Sequence, residues 1–151
     1  EYLDDAGFSF KYPIDVQVSK KDIANDATAY ANLEISSSQA KGSISIKVLD
    51  TELKSIDDWF LENKLTATKE IKIGEISGKE ANMNNKITAA ALDQNILFII
   101  EVDAQSKNYW QSSYDTILSS FSFVSQKEST QSQESFDYSS DDAVLQEEII
   151  E

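Results

Sequence analysis

The sequence predicts an α+β fold, an antiparallel β-sheet flanked by helices, followed by an acidic C-terminal tail. Three observations lead there. Several segments alternate apolar and polar residues with the period of a strand, two others repeat apolar residues at helical spacing, and the composition shifts near Ser125. Residues 1–125 therefore read as one domain and residues 126–151 as a low-complexity tail. A chain of 151 residues suits a single domain that buries about two-thirds of its unfolded surface.

Phe8, Phe10 and Tyr12 alternate with Ser9 and Lys11, which predicts a half-buried strand that Pro13 ends. Ala29, Ala31, Leu33 and Ile35 alternate with polar neighbours, as do Ile44, Ile46 and Val48. Both read as strands with one wet face, joined by a hairpin loop over Ser36 to Gly42. Ser55 is placed to cap a helix over about 55–65, with Asp57 and Asp58 in the first turn, where carboxylates suit the positive end of the helix dipole. A strand follows over 70–76. Gly74 and Gly78 suggest a turn or bulge before strands near 79–92 and 95–103. Ile96 to Ile100 is apolar on both sides and reads as the central strand, covered on both faces. From Lys107 the period changes: Trp110, Tyr114, Ile117, Leu118 and Phe121 line one face of a helix. Ser122 to Val124 reads as a short last strand or tether.

Composition narrows the chemistry. There is no cysteine and no histidine, which removes thiol nucleophiles, thiolate metal sites, the usual zinc ligand and the usual general base at neutral pH. All thirteen cations are lysine, against 27 carboxylates, and the net charge of −14 repels a nucleic-acid backbone. The longest aliphatic and aromatic run, Ile96 to Ile100, is far short of the roughly 20 residues a membrane-spanning helix needs. The chain opens on Glu1 with neither a basic nor an apolar leader, as expected of an excised or mature fragment, and any signal or lipid anchor upstream would fall outside this sequence.

Three segments, Gly-Phe-Ser-Phe-Lys-Tyr-Pro at 7–13, Ser-Ile-Asp-Asp-Trp-Phe at 55–60 and Ile-Leu-Ser-Ser-Phe-Ser-Phe at 117–123, follow one another in an order that resembles the PsbP-like family over about residues 7–125. That family includes small domains of bacterial surface lipoproteins. The resemblance implies an α/β/α sandwich and a non-catalytic binding module working outside the cytoplasm, secreted or surface-anchored. The family's photosystem members are associated with calcium, chloride and manganese. With no histidine here, no metal residue and no photosynthetic role carries over.

No residue pattern demands a cofactor or a metal. The carboxylate pairs Asp57 with Asp58, Asp141 with Asp142 and Glu147 with Glu148 suit acid–base work or a hard cation in principle, and as charge runs they read as solvated faces. The glycines at 7, 42, 74 and 78 form no phosphate-cradling motif, and Trp59 and Trp110 read as core rather than groove. Lys20 and Lys21 are too few for a polyanion.

The tail holds one lysine and eight acids and is rich in Ser, Gln and Glu up to Ser140. Ser140 then suits the cap of a short helix over 141–150. Phe136, Tyr138, Val144, Leu145, Ile149 and Ile150, set among acids, form a candidate partner-binding segment; a plain linker and a helix packed on its own domain fit the same spacing. The function expected is thus a binding or interaction module for a protein or small ligand. The alternative is a hydrolase built from carboxylate, lysine or serine groups, which requires two carboxylates or a Ser–Lys pair to converge in a pocket.

Overall fold

The structure, a computed structural model, describes residues 1–103 and 106–123. Among these, ten strands and two helices follow in the order β1 (Tyr2–Asp4), β2 (Phe8–Phe10), β3 (Gln17–Lys20), β4 (Ala29–Ser37), β5 (Ala40–Asp50), α1 (Ile56–Glu62), β6 (Lys69–Ile73), β7 (Ile76–Met83), β8 (Lys86–Asp93), β9 (Ile96–Asp103), α2 (Lys107–Ser120) and β10 (Ser122–Phe123). About half of the described residues are in strands and about a sixth in helices.

This corrects the expected α+β sandwich, an antiparallel sheet flanked by helices. The molecule is mainly β, with a seven-stranded antiparallel sheet in the order β3-β4-β5-β9-β8-β7-β6 and a second sheet in the order β1-β2-β10. The helices are too few and too short to form layers. The single strand expected near 79–92 is instead two strands, β7 and β8. Asn84 and Asn85 both take positive φ there and fold the stretch into the β7–β8 hairpin.

Alternation fixes which side chains face which way. Ile44, Ile46 and Val48 on β5 stand opposite Val102, Ile100 and Phe98 on β9, and those in turn oppose Ile87, Ala89 and Ala91 on β8. This is the covered face of the large sheet. It is packed by Trp110, Tyr114 and Ile117 of α2 and by Phe8, Phe10 and Phe121 of the small sheet and its approach. β9 is the middle strand and carries Leu97 and Ile99 on the other face as well, as its unbroken apolar run demands. Fully burying each of these large side chains contributes about 1.5–3 kcal/mol before entropy is counted.

The two helices are crossovers. α1 carries the chain from central β5 to edge strand β6 across the outer face, where Phe60 packs on Ala81, Ala90, Leu97 and Ile99. Ser55 caps it as expected, its Oγ accepting from the Asp58 N–H at 3.1 Å. α2 returns the chain across the covered face to β10, which pairs with β2. The helix boundaries follow the sequence reading closely. The expected loop over 36–42 does not: β4 runs on to Ser37 and β5 starts at Ala40, so Gly42 lies inside a strand with φ +97°.

Candidate functional site

The outer face is only partly covered, because seven residues of α1 cannot span seven strands. Register places Ala81, Thr88, Glu101, Ser45, Glu34 and Ser19 in one row across it, from β7 to β3. The flanking row holds Lys79, Ala90, Ile99, Lys47 and Asn32. From β9 outward to β3 this surface is polar, with Glu34, Ser45, Lys47 and Glu101 half-buried.

At the β7–β8 end of the row lies a notch of about 250 Å³, lined by Lys64, Leu65, Ala81, Met83, Asn84, Lys86 and Thr88. Each wall follows from local sequence. After α1 the Leu65 N–H bonds to the Phe60 carbonyl at 2.9 Å and the Lys64 N–H to the Leu61 carbonyl at 3.1 Å. This is a Schellman ending with Lys64, φ 58°, at the left-handed position normally given to glycine. Leu65 turns back onto the Phe60 cluster and forms one side of the notch. Met83, Asn84 and Lys86 come from the tight β7–β8 turn, whose two positive-φ asparagines fit type I′ geometry.

The floor is Thr88, 2% exposed. Among the described residues its hydroxyl takes part in no side-chain hydrogen bond, an unusual state for a buried polar group. Lys86 reaches Glu101 at 3.8 Å, a long and exposed pair worth little. Beside the notch, Lys79 donates to Asp57, and that carboxylate holds the ammonium above its ordinary pKa.

A second open depression of about 320 Å³ is lined by Asp50, Thr51, Glu52, Lys54 and Asn95 at the end of β5. It brings two carboxylates onto one loop. Among the described residues no group of three or more Asp or Glu side chains is arranged to hold a metal ion, and no helix is long and apolar enough to cross a membrane.

The residues singled out in the sequence fall elsewhere. Phe136, Tyr138, Val144, Leu145, Ile149 and Ile150 lie outside the described residues, as do the 141–150 helix and the pairs Asp141–Asp142 and Glu147–Glu148. Asp57 and Asp58 sit exposed in the first turn of α1. Trp110 is fully buried, its Nε1 donating to the Lys41 carbonyl at 2.6 Å, while Trp59 packs at the edge of the α1 cluster. Lys20 and Lys21 pair separately, with Asp5 at 3.7 Å and Glu34 at 3.1 Å. Lys64, Lys86 and Thr88 were not singled out. The Asn84–Asn85 dipeptide is the one signal that could have pointed to them, since a hairpin there sets Met83 and Lys86 side by side.

No family model matches the chain, and no curated protein matches it in sequence.

Proposed function

We propose that the chain is a non-catalytic binding or interaction module acting outside the cytoplasm, in line with its PsbP-like sequence resemblance. The observation that supports this reading is the open outer face: a row of half-buried polar side chains on a rigid sheet, ending in a notch with mixed apolar and cationic walls. Rigid strands hold such groups at fixed spacing, so a ligand meets a surface that is already organised. A thermal-shift screen of small acids, sugars and short peptides tests it. A ligand present at a hundred times its Kd raises stability by about 2.7 kcal/mol, a shift of several degrees.

The second reading, a hydrolase without histidine or cysteine, draws on Asp50 and Glu52 sharing the loop depression. It calls for turnover of a glycosidic, ester or phosphate substrate that Asp50→Asn or Glu52→Gln abolishes. Such turnover would replace the binding-module reading.

A further inference from the structure

We infer that the notch under α1 binds a carboxylate carried on a short aliphatic body, a specific ligand class for the binding reading on which this inference rests. Three features select that chemistry. Lys64 and Lys86 both line the notch, one after the helix and one on the hairpin, so an anion seated there is drawn by two cations from separate segments. Leu65, Ala81 and Met83 also line it, and Met83 is 37% exposed, leaving apolar surface for an aliphatic chain to cover. The Thr88 hydroxyl, buried and without a side-chain partner among the described residues, supplies a donor to the carboxylate at the floor. At about 250 Å³ the notch is smaller than the usual drug-sized site and suits a small ligand.

Glu101 opposes the anion. It stands across from Thr88 in the ladder and draws Lys86 toward itself at 3.8 Å. Binding therefore moves Lys86 from Glu101 to the ligand, and neutralising Glu101 strengthens binding. A merely sticky apolar patch has no such response.

The test is an amide-shift titration of the full chain with hexanoate and, in parallel, hexylammonium. The expected result is saturable shifts at Leu65, Met83, Asn84 and Thr88 with hexanoate alone, weakened about threefold or more by Lys64→Gln or Thr88→Val and strengthened roughly two- to fivefold by Glu101→Gln. Lys64→Gln changes an exposed side chain and keeps the fold, so its result stands if Thr88→Val unfolds. Equal response to hexylammonium, weaker binding in Glu101→Gln, or no saturable shift at these residues overturns the notch as a carboxylate site. Hexanoate binding elsewhere on the chain also overturns it while leaving the module reading intact, and enzymatic turnover removes the module reading by itself. A capped Glu-Ile-Ile-Glu peptide tested beside hexanoate separates the two sources of this chemistry, a free short-chain acid or an acidic peptide, by which binds tighter.

Discussion

Tyr114 on α2 donates its hydroxyl to Oε1 of Glu80 on β7 at 2.7 Å, fastening that helix to the sheet through a buried polar contact. Glu80 is 6% exposed, and its second oxygen lies 3.7 Å from Lys69 Nζ across the β6–β7 ladder. The Glu80 carbonyl also accepts from the N–H and hydroxyl of Thr68. A carboxylate is costly to bury, and Tyr114 and Lys69, which meet its two oxygens, are what makes the position tenable.

Tyr114→Phe removes the donor and leaves the carboxylate in place. The expected loss is about 2 kcal/mol, seen as a lower urea midpoint with an unchanged slope. Glu80→Gln, which keeps shape and hydrogen-bonding capacity, is expected to cost less. Equal losses would mean that the contact matters only for packing.

Stability is expected to decline in alkali. Burial, reinforced by the hydrogen bond to Glu80, pushes the Tyr114 hydroxyl well above the ordinary tyrosine range, and burial with Asp4 does the same to Tyr2. Below pH 10 both folded and unfolded forms keep these protons and nothing changes. Above pH 10 the unfolded tyrosines ionise first, so Tyr114 removes about 1.4 kcal/mol per pH unit, and Tyr2, screened by solvent, removes less. Unfolding curves from pH 8 to 11.5 should show this, and Tyr114→Phe should flatten the decline. A decline unaltered by that substitution would assign the effect to other groups.

Gly42→Ala is expected to cost about 3 kcal/mol. At φ +97° an added Cβ would stand 2.2 Å from the Asp103 carbonyl oxygen and 3.2 Å from Trp110 Nε1. Because Trp110 donates to the neighbouring Lys41 carbonyl, its near-ultraviolet dichroism should change along with the midpoint. An unperturbed tryptophan signal would show that β5 yields without moving α2.

Lys64→Gly is expected to stabilise by about 0.5–1 kcal/mol, since glycine takes the left-handed position without the strain of a side chain. The gain should appear in thermal unfolding. If stability falls instead, Lys64 holds the helix end by contacts of its own side chain.

Much of this fold is legible in the sequence where burial is one-sided and long. The Ile44, Ile46, Val48 alternation and the Trp110 to Phe121 spacing each report a face pressed on a core, and both elements stand where that pattern puts them. β3 gives no such signal, because Gln17, Ser19 and Lys20 are exposed and the strand is held by backbone pairing to β4. β1 is three residues long and is likewise silent. The notch escapes for another reason. Thr88 interrupts an alanine-rich strand without altering its period, and what sets it apart is the helix end that arrives from β5 across the sheet.

The β2–β10 pairing has a consequence for synthesis. Ser9 and Ser122 meet across 113 positions of chain, and Phe8 and Phe10 both stack on Phe121. Growing from the N-terminus at about 5–20 residues per second, the chain carries Phe8 and Phe10 unsheltered for roughly 6–20 seconds before their partners exist. The Phe8–Phe10 segment is thus the part a chaperone meets bare, and the native fold closes only when the end of α2 has emerged.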